Sequence, residues 1–347
     1  MTEGAKLEIS VANATDRIAW AAFVERSAGS EAGHRWEFHD VVHELFRASV
    51  VRLVAREDGK WLGVLPLLFQ SSFVGRFLTS VPYLNHAGVL GDDPRARRAL
   101  ATEACAVAAR LGADRLELRG RCGEDLPIDI WSGKSGFTLD LPEEGATLWE
   151  RLGAKVRAQV KRPAKEGYEA IVLGDGGRDL FYPLFARKWH ALGSPVLPER
   201  FFVALESTFD TALDYVVVRK AGEVAAAGVL LQHHDRVEIP WAGSAPEHDR
   251  YGVNMALYWR ALERALERRA HTFDFGRSTP DTGNARFKLQ WGATETPLRW
   301  NVRLRDPRGS SAERGDARRG LVAATWKRLP RFVATRLGPA LAARIPY

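Results

Sequence analysis

The sequence has few cysteines and no long apolar segment. Only two cysteines occur, Cys105 and Cys122, in no metal or redox spacing, which excludes a disulfide scaffold and fits a reducing compartment. The best apolar run, WLGVLPLLF at 61–69, has the length of a strand and falls far short of the roughly 18 residues of a membrane span. The initial MTEGAKLEIS has no apolar core, so we expect no secretory signal and predict a cytoplasmic location.

Excess positive charge is confined to the end of the chain. The formal net charge is +7, yet residues 299–347 hold 12 Lys/Arg and 3 Asp/Glu, while the other 298 residues hold 38 and 40. A body with a net charge of −2 argues against a nucleic-acid-binding module, because such modules carry a basic surface. The basic tail is expected to meet an anionic partner.

Residues 320–347 mix aliphatic and aromatic side chains with lysine and arginine, as interfacial helices do. We predict reversible docking of this tail on an anionic membrane surface, which would place the protein peripherally at the inner membrane. The alternative is a helix that packs on the body of the protein with its arginines exposed. Residues 305–319 are predicted to be a linker.

The composition is that of an ordinary globular protein, with 46% apolar and 27% charged residues. The length of 347 residues is enough for about two domains. Two halves share one order of elements: a strand, two helices, a hairpin, a strand, a long helix and a strand. Their hairpins turn at Gly59 and Gly222 and each runs to a glutamine. A duplicated α/β unit is the economical interpretation, and two unrelated mixed domains are the alternative. The predicted division is 1–142, then 143–304 with a bridging helix at 143–166, then the linker and tail at 305–347.

Motifs of the second half follow one another in a recognisable order. They are HALGSPVLPERFF (190–202), YGVNMALYW (251–259), FDFGRS (273–278) and TGNARFKLQWG (282–292). With them the chain resembles the FemAB family of tandem GNAT-fold acyltransferases. Within that family it is similar to the FemAB-like proteins of exosortase/PEP-CTERM and exopolysaccharide systems, which share segments like GKWLGVLPL (59–67), LELRG (116–120) and WKRLPRFVATRLGP (326–339). The resemblance implies two tandem GNAT-like domains of mixed α/β class.

The resemblance also implies where the chemistry lies. The lysine of the family's Phe-Lys motif, here Phe287-Lys288, lies at the reaction centre, where an ammonium can stabilise the oxyanion formed during acyl transfer. Asp274 is the second predicted catalytic residue, since it could orient an acceptor amine. The alternatives are a surface lysine and a structural Asp274–Arg277 pair.

The remaining predicted site residues divide into donor and acceptor groups. Arg250, Tyr251, Gly252 and Asn254 occupy the place where a GNAT fold presents backbone amides to the pyrophosphate of coenzyme A. Only one glycine is present there, which weakens that interpretation, and Asn254 could instead cap a helix over 255–269. The other predicted binding residues are Arg277, Ser278, Phe287, Trp291 and Trp241 in the second half and Tyr83, Asn85 and His86 in the first.

By resemblance, the predicted function is transfer of an acyl or aminoacyl group to an amine of a cell-envelope precursor in a ternary complex. The precursor would be a small molecule, glycan or peptide, and the donor acyl-CoA or aminoacyl-tRNA, with no tightly bound cofactor. The competing hypothesis is a non-catalytic, membrane-associated partner of an exopolysaccharide or protein-sorting system. His39 and His43 share a helix face, but the residue between them that would match HExxH is Asp40 and a third ligand is lacking, so no metal is predicted.

Overall fold

The computed structural model describes residues 6–72, 75–121, 126–305 and 326–342. The chain forms two compact units, each with one seven-stranded sheet. Unit 1 comprises Met1–Ser132, Leu298–Val322 and Ala340–Tyr347, and unit 2 comprises Gly133–Pro297 and Ala323–Pro339. The predicted mixed α/β class is confirmed.

Unit 1 contains helices α1 (Arg17–Arg26), α2 (Trp36–Phe46) and α3 (Pro94–Arg110). Its strands are β1 (Leu7–Val11), β2 (Ser49–Glu57), β3 (Lys60–Ser72), β4 (Gly75–Thr79), β5 (Arg115–Leu118), β6 (Ile130–Trp131) and β14 (Trp300–Leu304). They lie in the order β1-β2-β3-β4-β5-β14-β6, and β4 and β5 form the parallel pair.

Unit 2 contains helices α4 (Gly145–Arg151), α5 (Ala154–Lys165), α6 (Gly177–Leu192), α7 (Glu199–Phe209), α8 (Val253–Glu267) and α9 (Gly283–Leu289). Its strands are β7 (Ser135–Asp140), β8 (Glu169–Leu173), β9 (Leu213–Lys220), β10 (Glu223–His233), β11 (Arg236–Ser244), β12 (Thr272–Ser278) and β13 (Thr294–Pro297). They lie in the order β13-β7-β12-β11-β10-β9-β8, with β11 and β12 parallel. The last described helix is α10 (Arg331–Ala342).

The two sheets are built to one plan, which accounts for the sequence duplication. Strands β1 to β5 occupy the positions that β8 to β12 occupy in the other sheet. The sixth position of each sheet is filled from outside the expected half, by β14 in unit 1 and by β7 in unit 2. The observed units therefore differ from the predicted division at 142/143 and 304/305.

Both faces of each sheet are covered, so the central strands are apolar on both sides. In unit 1, Leu53 and Leu65 pack with helix α3, whereas the neighbouring pair Val54 and Val64 packs with Trp20 and Trp36. In unit 2, α5 and α8 cover one face, and α6 and α7 cover the other, where an aromatic cluster from these two helices, β9 and β11 is packed. That cluster is Phe181, Phe185, Phe201, Phe202, Tyr215 and Trp241.

The predicted bridging helix at 143–166 is two helices. Helix α4 ends at Arg151, and α5 begins at Ala154 after Leu152 and Gly153, both in extended conformation. Pro163 lies in the last turns of α5 and is buried with Val156 and Val160 along one face. The helical backbone is interrupted at Leu152 and Gly153, where glycine disfavours a continuous helix because it loses more conformational freedom on folding than other residues.

Residues 326–339 of the predicted tail pack on unit 2. The backbone carbonyl of Leu329 lies 3.0 Å from His190 Nε2, Trp326 and Ala334 are buried, and Gly338 lies against Val196. Residues 306–325 and 343–347, and with them the predicted linker, lie outside the described residues. Among the described helices, none combines the length and apolar character required to cross a bilayer.

Candidate active site

The central feature of unit 2 is the early end of the parallel ladder between β11 and β12. The two strands pair only through Arg236↔Thr272, Val237↔Phe273 and Glu238↔Asp274. Beyond these pairs β11 continues to Ser244 on β10 alone, and β12 continues to Ser278 on β7 alone. The edge of β11 over residues 239–244 that faces away from β10 therefore has no strand partner among the described residues. An unpaired edge offers backbone N–H and C=O groups to an extended ligand.

Local sequence explains why β11 ends its pairing there. Pro240 has no backbone N–H, and the β10–β11 register shifts between Val229 and Leu231, opposite this proline. Proline inside a sheet is confined to edges and bulges. The β-branched and aromatic residues on either side keep the strand extended up to Ser244.

On the other side of the opening, β12 contains a glycine bulge held by Asp274 and Lys288. Gly276 has φ +72°, and the β12–β7 register shifts between Asp274 and Arg277. Asp274 is fully buried and its Oδ1 accepts a hydrogen bond of 2.7 Å from the N–H of Gly276. Lys288 Nζ donates to the carbonyls of Gly276 at 2.9 Å and Arg277 at 3.0 Å. The two predicted catalytic residues are thus brought together on one bulge.

The Lys288 amine lies in the protein interior, with 7% of the residue exposed. It comes from α9, whose first turn is capped by Thr282 Oγ1 accepting from Ala285 N, and it lies 5.2 Å from the centre of the Phe137 ring. Burial outweighs the opposing charge of Asp274 and, together with the charge of Arg277, lowers the pKa of Lys288 to about 8. The amine is therefore a tethered, partly desolvated ammonium that titrates near neutral pH, in contrast to the alternative of a solvated surface lysine.

The remaining predicted residues around β12 lie on both sides of this bulge. Arg277 is half-buried and Ser278 is buried at the end of β12. Phe287 and Trp291 belong to an aromatic cluster with Tyr258, at ring distances of 4.9 and 6.5 Å. Trp241 is 3% exposed and packs on Phe201 and Phe202. Phe287, Trp291 and Trp241 therefore pack in the aromatic clusters that surround the opening between β11 and β12.

The loop after β11 leads into helix α8 and is internally bonded. Ser244 Oγ donates to Asp249 Oδ1 at 2.5 Å and accepts from Asn254 Nδ2 at 2.9 Å. Helix α8 begins at Val253, with Gly252 at its N-cap at φ +78°. The alternative that Asn254 caps a helix at 255 is therefore wrong, because its side chain joins the helix to the end of β11 instead.

This loop differs from an open anion-binding turn. Residues Pro246–Tyr251 form a 3-10 helix, in which the N–H groups of His248 and Gly252 bond the carbonyls of Ala245 and Asp249. Glu247 and Asp249 add negative charge. Arg250 lies over the Tyr251 ring at 4.6 Å and donates to its hydroxyl. The predicted donor residues Arg250, Tyr251, Gly252 and Asn254 are thus adjacent, and the loop holds acidic as well as basic groups.

An exposed basic surface adjoins this loop and received little weight in the sequence-based prediction. Helix α5 has no acidic residue, and its exposed side carries Lys155, Lys161, Arg162 and Lys165. The carbonyl of Gln159 lies 3.4 Å from where a Cβ on Gly252 would be, which places α5 beside the start of α8. The four basic residues are called the α5 basic face below. The basic residues can be read from the sequence. Only the packing of α5 beside the start of α8 shows that they adjoin this loop.

The three predicted residues of the first half lie inside unit 1. Tyr83, Asn85 and His86 are all at least nine-tenths buried. Tyr83 Oη accepts from Gln70 Nε2 at 2.7 Å and donates to the carbonyl of Ala342 at 3.2 Å. Their segment runs beside β5, with Ser80 N bonded to Glu117 O and Ala87 N to Arg119 O. In unit 1 the chain itself therefore occupies the place that is open in unit 2.

His39 and His43, where no metal was predicted, both contact backbone carbonyls. His39 Nε2 lies 2.9 Å from the carbonyl of Gly33, and its Nδ1 accepts from Arg52. Burial, followed by the charge of Arg52, lowers the pKa of His39 well below its usual value. His43 Nδ1 lies 2.8 Å from the carbonyl of Ala48. Protein groups thus occupy both ring nitrogens of His39. Cys122 lies outside the described residues.

A family model and several solved structures that are similar to this chain indicate a GNAT fold. Residues 154–289 match the family model described as an acetyltransferase (GNAT) domain. No curated protein sequence matches the chain. Among solved structures, FemX is similar with a TM-score of 0.67 and 13% identity, covering 86% of this chain and 97% of that one.

Two other solved structures are also similar. The C-terminal domain of a putative lysylphosphatidylglycerol synthetase from Agrobacterium fabrum has a TM-score of 0.57 at 14% identity and covers 90% of this chain and 96% of that one. A tandem GNAT protein from the clavulanic acid biosynthesis pathway has a TM-score of 0.53 at 13% identity and covers 88% and 100%. The chain therefore has a fold of two tandem GNAT-like domains, and its residues 154–289 match an acetyltransferase (GNAT) domain.

Proposed function

We propose that this protein is an N-acyltransferase that moves an acyl or aminoacyl group from an activated donor to an amine of a cell-envelope precursor. One observation carries the proposal. In the part of the chain that matches a GNAT acetyltransferase domain, an unpaired β11 edge at 239–244 faces a bulge that holds a buried ammonium. The amide groups of an acyl donor add to such an edge as an extra strand would.

The chemistry proposed is direct attack in a ternary complex. The lone pair of the acceptor amine forms a bond to the donor carbonyl carbon, and the carbonyl electrons move to oxygen. As the oxyanion reforms the carbonyl, the bond to the leaving group breaks, and its electron pair departs with the thiolate sulfur or the ribose oxygen. The amine proton passes to the leaving group or to water. Lys288 has three N–H donors and uses two on Gly276 and Arg277. The third has no partner among the described residues and can donate to an oxyanion.

Two donor classes meet different features of unit 2. The GNAT match and the glycine N-cap of α8 favour acyl-CoA, whose pyrophosphate suits a helix N-terminus. Glu247, Asp249 and the internally bonded 3-10 helix oppose that anion. The α5 basic face favours aminoacyl-tRNA, because RNA phosphates are held by exposed lysine and arginine.

Salt-dependent binding separates the donors. For an RNA donor, Lys161→Ala/Arg162→Ala reduces the slope of log K against log salt by about 1 to 2, since each phosphate contact contributes roughly 0.7 to 0.9. Lys60→Ala, at an exposed turn of unit 1, is the control. Equal slopes for both variants, with tight binding of acetyl-CoA, would assign acyl-CoA as the donor.

Transfer itself is measured as hydroxamate formation with hydroxylamine, which requires no natural acceptor. Lys288→Ala lowers turnover about 10²-fold or more, since removal of one oxyanion donor has that effect. In the wild type, turnover falls as pH rises through about 8, because the ammonium then deprotonates. Unchanged turnover in Lys288→Ala would remove Lys288 from the mechanism, and absence of transfer from either donor would favour a non-catalytic partner protein.

We also propose that the protein attaches to the inner membrane. A peripheral place at the inner membrane, and association with an exosortase or exopolysaccharide system, rest on the family resemblance and on the basic tail. Lys327, Arg328 and Arg336 are exposed, whereas Trp326 is buried in its contacts with the protein, so attachment would be electrostatic. Flotation with phosphatidylglycerol vesicles tests this, with charge reversal of these three residues expected to abolish it and Arg98→Glu to leave it unchanged.

A further inference from the structure

A cavity of about 790 Å³ lies in unit 1, between the second half of α3 and the edge of the sheet. Its helix side consists of small residues: Cys105, Ala108, Ala109, Gly112 and Ala113. Its sheet side consists of Leu116 on β5, Asp129, Ile130 and Trp131 at β6, and Val302 to Arg305 along β14. We call this cavity the α3 slot.

The shape of the slot follows from how the sheet is assembled. Helix α3 covers the part of the sheet made by β1, β2, β3 and β5. Strand β14 extends the sheet past β5, through the pairs Asn301↔Leu118 and Arg303↔Leu116. The alanine and glycine positions at the end of α3 are too small to fill the space over this added strand. A cavity therefore remains beside the main core of unit 1.

The lining combines apolar side chains with basic groups at the end of β14. Leu116 and Ala113 are buried, and Ile130 is 42% exposed, so apolar surface is open to the solvent here. Arg303 and Arg305 are exposed at the end of β14, and Arg305 Nη1 lies 3.7 Å from where a Cβ on Gly112 would be. Among the described residues of the lining, Asp129 is the one acidic residue. Ligand sites of this size are mostly apolar, with a few polar groups that fix orientation.

We propose that the α3 slot binds a single aliphatic chain that ends in an anionic group, a fatty carboxylate being its simplest form. The chain lies along the small residues of α3 over Leu116, and the anionic end meets Arg303 and Arg305. A site with this chemistry is separate from the donor opening in unit 2 and does not depend on the proposed transferase activity.

Chain length and headgroup provide the first test, by calorimetric titration of the full-length protein below the micelle concentration. Affinity rises about fourfold per methylene from octanoate to dodecanoate, as burial of one CH₂ predicts. Decanoate binds at least tenfold more tightly than decanol or decylamine. Equal affinity across chain lengths, or for decylamine and decanoate, would overturn the proposal.

Two matched pairs of variants locate the site. Ala109→Trp fills the exposed rim of the slot and abolishes binding, whereas Thr102→Trp, exposed elsewhere on α3, leaves it intact. Arg303→Glu weakens decanoate binding at least tenfold without changing decanol binding, and Arg98→Glu changes neither. Loss of binding in both members of a pair, or in neither, contradicts the assignment.

Cys105 supplies a readout at the site, since it is a half-exposed free thiol in the slot wall. In a Cys122→Ser background it is the only cysteine of the chain. Dodecanoate slows its alkylation at least fivefold, and dodecylamine does not. An unreactive Cys105 in the ligand-free folded protein would mean that the slot is closed by the protein itself and would also overturn the proposal.

Discussion

The buried charges of single residues decide much about how this protein responds to pH. Lys288 and Glu117 are both largely removed from solvent, yet their surroundings differ. Lys288 meets backbone carbonyls and one carboxylate, so burial dominates and lowers its pKa. Glu117 is buried too, but two guanidinium groups contact its carboxylate and lower its pKa to about 2 against the effect of burial. Burial therefore destabilises the charged form of Lys288, whereas ion pairing stabilises the charged form of Glu117. Because both pKa values are lowered, stability rises with pH in both cases, but in different pH ranges.

The first prediction concerns the stability cost of Lys288. Its pKa in the folded state, about 8, is below the unfolded value of 10.5, so the folded protein binds fewer protons between these values. The cost is fully present below pH 8 and is relieved as pH rises towards 10.5. We expect wild type to gain about 3 kcal/mol relative to Lys288→Met over that window. Urea unfolding of both proteins from pH 7 to 10.5 measures this, and parallel curves would contradict it.

The second prediction concerns Glu117 in β5. Its carboxylate accepts from Arg119 at 2.6 Å and from Arg115 at 2.9 Å. Glu117→Gln should destabilise unit 1 by about 3 to 5 kcal/mol, because it leaves Arg119 buried without its countercharge. Since the folded pKa is below the unfolded one, this difference is complete above pH 4.5 and disappears as pH falls through about 2. Glu103→Gln, from an exposed pair with Arg110, should change stability by less than about 1 kcal/mol.

At the scale of elements, the corresponding parallel strand pairs, β4 and β5 in unit 1 and β11 and β12 in unit 2, continue differently beyond their shared hydrogen bonds. In unit 2, β11 and β12 separate and leave an open edge. In unit 1, the chain after β4 returns along β5 and bonds it through Ala87 N and Arg119 O. Close contact of two glycines, Gly88 and Gly120, permits this return, because a Cβ on Gly88 would lie 2.7 Å from Gly120 Cα.

The third prediction tests that closure. Gly88→Ala places a methyl group against backbone that cannot move aside, so we expect a loss of about 1 to 3 kcal/mol in unfolding free energy. Gly153→Ala is the matched control, because no atom lies within 4 Å of its added Cβ. Chemical denaturation of the two variants and wild type measures the effect. Equal stabilities of the two variants would show that the segment at 80–90 is not held against β5.

Sequence reasoning located most elements but missed what joins them. The long helix predicted in the first half is α3 (Pro94–Arg110), and its ends are marked by local signals at Asp93, Pro94 and Gly112. Lys288 and Asp274 were each predicted as catalytic residues, but their meeting on one bulge was not. By contrast, Gly276 as the residue that both groups hold could not be predicted, since its φ of +72° depends on the bulge against β7. Phe137 beside the Lys288 amine comes from a distant segment and left no local signal.

At the scale of the whole molecule, neither half of the sequence contains a complete sheet. Strand β7 precedes the predicted boundary at 142/143, yet it lies between β12 and β13 in unit 2. Strand β14 follows most of the second half, yet it lies between β5 and β6 in unit 1. Each unit therefore depends on one strand from outside its own run of sequence.

The fourth prediction follows from this exchange. A fragment of residues 133–297 contains all seven strands of the unit 2 sheet and should unfold cooperatively in urea. A fragment of residues 143–304 lacks β7, which exposes the edge of β12, removes Phe137 from the core and leaves β13 without its partner. It should show no cooperative transition or should aggregate. Far-UV circular dichroism during urea titration compares them, and equal cooperativity would contradict the role given to β7.

What the sequence by itself determined were the local properties: the class of fold, the repeated order of strands and helices, and the basic tail. These follow from side-chain periodicity, capping residues and charge, which act over a few residues. Only the tertiary structure decided which strand completes each sheet, which copy remains open between its parallel strands, and which side chains surround the Lys288 amine. Those outcomes depend on contacts between segments far apart in the chain, where the free energy of packing overrides any local preference.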